Sequence, residues 1–305
     1  MVGRIVRFGR CLIMTDAATL TKALRGKWHG RYGLAYCPAH HNTHTPALSL
    51  ANGDGGRLLA HCFAGCDFAA IIDSLRGLGL VEGDGTYIPP NPMELSRRRA
   101  KERSQVEKRA TQAHLLWNKT RPIANTAAAT YLRTRGITCQ LPGTLRFAPS
   151  CWHASGQHFP AMVGLVEGGG SFAVHRTYLR ADGSGKAQAE PVKTMLGPCA
   201  GGAVCLSSAN GPLVVCEGIE TGLSLLSGIL RGPATVWAAL STSGMKLLRP
   251  PPQSGLLTVA ADGDAPGREA ANALASRANA MGWSVSLLPA PEGRDWNDVL
   301  KGGGE

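Results

Sequence analysis

No apolar run in this 305-residue chain approaches the roughly 20 residues that cross a bilayer, which excludes a membrane-spanning helix. The best N-terminal candidate for an export signal, Arg10-Cys11-Leu12-Ile13-Met14, is too short for the apolar core of a signal peptide. The expectation is a cytoplasmic protein. Acidic residues are scarce, 21 against 32 Lys and Arg, for a net charge of +11. That imbalance points to a polyanionic partner, nucleic acid foremost. The nine cysteines are odd in number, which argues against a disulfide scaffold in a reducing cytosol. Paired Cys and His spacings are therefore read as metal ligands. Aromatics make up only 6%, while 39 Gly and 19 Pro imply many tight turns. With 44% hydrophobic and 17% charged residues, the chain can bury real cores, and its length suits two or three domains.

Residues 1–13 carry no pattern and read as a disordered extension. A helix start is predicted at Met14 and Thr15, with Thr15 as the cap. Between 27 and 80 the chain is rich in Gly, His and Cys. Pro46–Leu50 and Arg57–Cys62 read as strands joined by the turn Asn52-Gly53-Asp54-Gly55-Gly56, with a helix at Phe68–Arg76. Residues 83–93 read as a linker. A helical stretch from Glu94 to Arg135, interrupted by Pro122, holds eleven Lys and Arg against three Glu. Short strands and turns fill 137–206. Strand signals at 212–216, 235–240, 256–261 and 284–288 then alternate with helical stretches at 219–230, 244–249 and 267–281, the pattern of a mostly parallel α/β sheet.

Cys37-Pro38-Ala39-His40 is a C-x2-H pair and Cys62-Phe63-Ala64-Gly65-Cys66 a C-x3-C pair, with the predicted hairpin between them. Two such knuckles bring four soft or borderline ligands around one point, as tetrahedral zinc requires. Cys37, His40, Cys62 and Cys66 form the predicted set, with His41 and His61 as adjacent competitors. Four protein ligands leave no open position, so the zinc should be structural.

The second constellation is acidic. Glu217-Gly218 follows the strand signal at 212–216, and Gly218 is expected to let the backbone turn sharply into a helix carrying Glu220. Asp262-Gly263-Asp264 follows the strand at 256–261, and Asp295-Trp296-Asn297-Asp298 follows the last one. C-terminal strand ends share one edge of a parallel sheet, where such folds keep their sites. Carboxylates gathered there repel one another unless a divalent cation such as Mg²⁺ neutralises them. Residues 211–305 hold nine Asp and Glu against seven Lys and Arg, inside a strongly basic chain. Acids beside basic surfaces suit phosphoryl transfer on nucleic acid.

Gly183-Ser184-Gly185-Lys186 imitates the end of a P-loop, but the motif needs Gly at Arg180 and Ser or Thr at Ala187. A hairpin turn is predicted instead. Arg97-Arg98-Arg99-Ala100-Lys101 is either a solvated helix face or a surface that tracks phosphates. Trp28, His29, Arg31 and Tyr32 either stack on single-stranded bases or pack around the zinc hairpin.

Taken in order, these motifs resemble the bacterial and phage DNA primases with a CHC2-type zinc-binding domain and a Toprim catalytic domain, in particular the Toprim-domain primase-like proteins of mobile elements. Cys37–His40 and His61–Cys66 are similar to the zinc motif, with C-x3-C in place of C-x2-C as in the mobile-element proteins. Tyr131–Ile137 and Leu145–Pro149 look like the start of the primase polymerase core. Glu217-Gly218 and Asp262-Gly263-Asp264 are similar to the two Toprim signatures. Asp295–Asp298 resembles a third acidic motif.

The resemblance implies a multidomain α+β and α/β fold. Its parts would be an extension with a short helix (1–26), a zinc-ribbon hairpin domain (27–82), a linker and basic helical region (83–130), a mixed α/β primase core (131–210) and a Rossmann-like Toprim domain (211–305). It implies that Glu217, Asp262 and Asp264 hold Mg²⁺ or Mn²⁺, with Glu220, Asp295 and Asp298 assisting. Arg176 and Lys193 would contact nucleoside triphosphate or template phosphates. It further implies a primer-synthesising nucleotidyltransferase acting on single-stranded DNA with a separately encoded replicative helicase. A Toprim nuclease and a non-catalytic DNA-binding accessory are the alternatives.

Overall fold

The computed structural model describes residues 16–41, 46–53, 57–81 and 92–302, so the extension 1–13, the Thr15 cap and the Asp54–Gly56 part of the predicted turn lie outside the described residues. The chain divides into two units, Met1–Glu102 and Arg103–Glu305.

In the first unit, helix α1 (Ala17–Ala23) is capped by Asp16, whose carboxylate accepts the Ala18 and Thr19 N–H groups. Asp16 is the first described residue, and the expected start at Met14 and Thr15 lies outside the described residues. Four antiparallel strands follow in sheet order: β1 (Lys27–Trp28), β2 (Tyr32–Ala35), β3 (Leu48–Asn52) and β4 (Leu58–Cys62). Helix α2 (Phe68–Gly77) starts at Asp67, which accepts the Ala70 N–H. Leu20, Leu48, Leu50, Ile71 and Leu75 are fully buried between these elements. At roughly 1.5–3 kcal/mol for each such side chain, this small core leaves real work for a cross-link.

Helix α3 (Pro92–Asn118) crosses the boundary between the units. Within the second unit, residues 103–109 are exposed, whereas Ala110 and Ala113 are buried. Pro122 ends the predicted helical run. It sits in β5 (Arg121–Pro122), and α4 (Ala127–Thr134) begins afresh at Thr126, which caps Ala129 N–H. An antiparallel sheet then runs β5, β6 (Leu145–Trp152), β7 (His158–Val166), β8 (Ala173–Tyr178) and β9 (Lys193–Leu196). One face packs on Ala113, Leu116 and Trp117 of α3. The other buries Leu145, Phe147 and Met162.

The last sheet has the order β10 (Val204–Ser207), β12 (Thr235–Ala238), β11 (Leu213–Cys216), β13 (Leu256–Ala261), β14 (Ser284–Pro289). Only β10 is antiparallel. Its inner strands are apolar except for Thr235 and Thr258, as suits a sheet covered on both faces. Val215, Leu257 and Val259 pack on α6 (Thr242–Leu247) and α7 (Ala265–Ala280). Val214, Cys216 and Val236 pack on α4 and α5 (Ile219–Ser224) together with the antiparallel sheet. Helix α5 continues into a π-helical turn at Leu225–Ile229, and α8 (Trp296–Gly302) closes the chain. The second unit is thus a mixed α/β body with a mostly parallel C-terminal sheet. No helix among the described residues is long and apolar enough to cross a membrane.

Candidate functional site

The first site belongs to the hairpin of the first unit. Cys37 follows β2, Cys62 ends β4, and Gly65, at φ 89°, takes the left-handed conformation that turns the chain back to present Cys66. The ligand atoms of Cys37, His40, Cys62 and Cys66 all lie within 4.8 Å of one another. His40 Nδ1 is 3.2 Å from Cys66 Sγ and 3.7 Å from Cys62 Sγ. A zinc tetrahedron with bonds of roughly 2.0–2.3 Å has ligand–ligand edges of about 3.5–3.8 Å, so the set fits that ion. All four side chains converge without a disulfide. Burial raises Cys37 to about 11, a cost removed when a cation takes the thiolate. Burial also acts against the Cys62 thiolate, but the Cys66 and Ala64 N–H groups pull that thiol below its ordinary value. His41 and His61, the competitors, are both exposed, and His61 instead packs edge-on to Phe63. Trp28 lies half-buried on the hairpin core, while exposed Tyr32 stacks on His29 at 5.2 Å.

The second site lies along the C-terminal edge of the parallel strands. Glu217 follows β11, Asp262 follows β13, and Asp264 caps α7 by accepting the Gly267 N–H at 2.7 Å. Gly263 between them is obligatory, since a Cβ there would collide with the Pro291 carbonyl. Gly218 does not play its expected role. Its φ of −105° is open to any residue, and the strained position is Leu240 at φ 73°, whose N–H reaches the Glu217 carbonyl at 2.6 Å.

Burial and then the charges of Glu217, Asp295 and Asp264 push Asp262 up to about 7. Burial and Asp264 likewise raise Glu217. Asp262 Oδ1 is buried with no hydrogen-bond partner. A shielded carboxylate oxygen left empty among like charges fits a divalent cation. Among the described residues only the Cys3His set converges fully. Asp295 and Asp298 cap the start of α8 reciprocally, Asp298 N–H to Asp295 Oδ1 at 2.8 Å and Asp295 N–H to Asp298 Oδ2 at 3.3 Å. Asp295 also faces Arg135 at 3.9 Å.

Glu220 is placed differently. It is 5% exposed, in the first turn of α5. Its Oε1 accepts Tyr131 Oη at 3.0 Å and lies 3.6 Å from Lys186 Nζ, and its Oε2 accepts Lys193 Nζ at 3.0 Å. Burial would raise this carboxyl, but the two ammonium groups hold it well below the usual carboxylate range. His175, fully buried with Nδ1 unpartnered, stands beside this group, and burial followed by Lys193 lowers it to about 4. It is a neutral imidazole at neutral pH.

The structure brings Lys193 to the acids but not Arg176. Thr177 pairs with Lys193 and His175 with Met195, so the alternation of the strand sends Arg176 to the opposite face. There its guanidinium lies 5.7 Å from the Tyr178 ring and 3.4 Å from the Trp152 carbonyl. The Gly183–Lys186 segment is a turn, with Asp182 accepting the Ser184 N–H and Leu179 bridging to Lys186. Sequence reasoning set this segment aside and so missed Lys186; it missed Tyr131 and His175 as well.

Residues 212–305 match the model of the Toprim domain. This segment is a Toprim domain. Residues 107–206 match a model described as a domain of unknown function, DUF7146. A search of curated proteins found no match. Among solved structures, the chain is similar to the Aquifex aeolicus primase (zinc binding and RNA polymerase domains), at 15% identity and a TM-score of 0.41, covering 94% of this chain and 79% of that one. A DNA primase domain from Pseudomonas aeruginosa is similar at 18% identity and a TM-score of 0.36, covering 66% and 75%. The acids at Glu217, Asp262 and Asp264 all lie inside the Toprim segment. Lys186, Lys193 and Tyr131 come from the segment of unknown function.

Proposed function

We propose that this protein is a primase-like nucleotidyltransferase that makes short primers on single-stranded DNA. The observation that carries the reading is the partnerless buried oxygen of Asp262, set among Glu217, Asp264 and Asp295 with Lys193 close by. In this reading Glu217, Asp262 and Asp264 hold Mg²⁺ or Mn²⁺. Bound there, a divalent cation supplies charge neutralisation for a triphosphate and activation for a 3′-hydroxyl. Lys193 and Lys186 bind phosphate oxygens beside the acids. Asp295 and Asp298 fix the start of α8, and Trp296 ties that helix to β13 through its Nε1–H bond to the Ala261 carbonyl at 3.1 Å. The new bond joins the 3′-oxygen to an α-phosphate, and pyrophosphate leaves.

Zinc on Cys37, His40, Cys62 and Cys66 gives the first unit the cross-link its small core calls for. The exposed His29–Tyr32 stack offers a flat surface to unpaired bases, and the exposed cations of α3 offer contacts to phosphates. A replicative helicase encoded elsewhere is the expected partner, in a cytoplasmic setting.

The test is primer formation from labelled nucleoside triphosphates on single-stranded DNA with Mn²⁺. Wild-type protein should extend, and Asp262→Asn should reduce synthesis at least a hundredfold while still binding DNA. Cleavage of the DNA in place of synthesis would establish a Toprim nuclease. Binding with neither activity would leave an accessory protein.

A further inference from the structure

We propose that Glu220 is a positioning residue, not a ligand: it holds Lys186 and Lys193 off the carboxylates that take the divalent cation. The inference rests on the reading of Glu217, Asp262 and Asp264 given above, and it assigns Glu220 a task distinct from theirs.

Both oxygens of Glu220 already have partners. Oε2 is taken by Lys193 at 3.0 Å, and Oε1 by Tyr131 at 3.0 Å with Lys186 at 3.6 Å. The residue is 5% exposed, so neither oxygen can turn to another partner without breaking these contacts. Three of the roughly four acceptor sites of this carboxylate are thus already directed to two ammonium groups and a phenol.

The lysines themselves are not rigidly built in. Their side chains are about one-third exposed, 35% for Lys186 and 36% for Lys193, and each hangs on a flexible four-carbon stem. Lys193 already acts on the charges of both Glu217 and Asp262. Release it, and the nearest uncompensated negative charge is that of the acids. An ammonium group seated there would neutralise the carboxylates and exclude a cation from them. Glu220 prevents this. It keeps two positive charges near enough to meet a phosphate, yet tied to a separate anion. Tyr131 supports the same oxygen from α4, which fixes the direction in which Glu220 points.

The distinguishing measurement is Mn²⁺ binding to the zinc-loaded full-length protein, read from the signal of free Mn²⁺ by electron paramagnetic resonance, without any turnover. Glu220→Gln should weaken Mn²⁺ binding about tenfold. Adding Lys193→Met to Glu220→Gln should restore binding to within about threefold of wild type, because the competing ammonium is gone. Should Glu220→Gln fail to fold by near-ultraviolet circular dichroism, Tyr131→Phe reads the same effect more gently, with a loss of about threefold that Lys193→Met recovers. If Glu220 ligates the cation, the double variant will stay as weak as the single, and the proposal is wrong. Unchanged Mn²⁺ affinity in Glu220→Gln would overturn it equally. Wild-type protein that binds no Mn²⁺ would instead overturn the reading of the acidic site, and this proposal with it.

Discussion

Asp262→Asn should make the protein more stable before any cation is added, and less so afterwards. In the unfolded chain Asp262 ionises near 3.8; in the folded protein burial and three neighbouring carboxylates delay this to about 7. Between those values the native state binds one more proton than the unfolded state, so stability falls as pH rises through the window and stays lowered above it. Three units correspond to roughly 4 kcal/mol at full strength. Asp262 retains solvent contact, and screening reduces this to roughly 1–2 kcal/mol. For a unit of this size that is a shift of about 3–6 °C in melting temperature. The assay is calorimetry on zinc-loaded protein, wild type and Asp262→Asn, from pH 5 to 8, with and without Mn²⁺. Without Mn²⁺ the variant should melt higher at pH 8 and converge on wild type toward pH 5. Mn²⁺ at about a hundredfold over its dissociation constant should then raise wild type by roughly 2.7 kcal/mol and leave the variant nearly unmoved, reversing their order. His175, held near 4, adds a rise in stability over the lower part of this range, so the quantity that isolates Asp262 is the difference between wild type and variant. A difference that does not change with pH, or a variant less stable at pH 8 without Mn²⁺, would refute the electrostatic account of the site.

Purified protein should carry about one zinc per chain, and Cys62→Ser should lose it and abolish the protease resistance of residues 27–81, as measured by metal analysis and limited proteolysis. Affinity for single-stranded DNA should fall steeply with salt. Neutralising Arg97, Arg98, Arg99 and Lys101 together should flatten the slope of log affinity against log salt by about three, whereas an unchanged slope returns the run to a solvated face.

The zinc set was legible because its ligands sit in two short knuckles, where spacing alone brings side chains together. The C-x2-H spacing selected His40, but only the folded hairpin shows that His41 and His61 stay exposed. The acids were legible because parallel strands end on a common edge, a property of topology that apolar runs reveal. Most of the group around Glu220 was hidden for a different reason. Tyr131, His175 and Lys186 come from a helix, a strand and a loop far from Glu220 in sequence, and nothing local marks them; Lys193 was named, but as a phosphate contact and not as a partner of Glu220. Arg176 shows the limit most clearly. It lies one residue from His175, yet strand alternation sends it to the other face, and that parity follows from pairing with β9. Gly218 shows a smaller limit: the turn after β11 is made by ordinary backbone angles, so a glycine in a motif need not signal a conformation that only glycine can take.

Strand β10 has a consequence for how this protein can change over generations. By sequence its first three residues fall in the segment of unknown function, yet it is hydrogen-bonded into the Toprim sheet against β12. Val204 presses on Gly164 of the antiparallel sheet, and Leu206 on Gly222 of α5. An exchange of genetic material between residues 206 and 212 would therefore graft a foreign border onto the Toprim sheet, with side chains fitted to another molecule's glycines. Substitutions at Val204 and Leu206 should be tolerated only alongside compensating changes at Gly164 and Gly222. The two segments match separate family models but share one sheet, and a protein that kept one without the other would have to rebuild that border first.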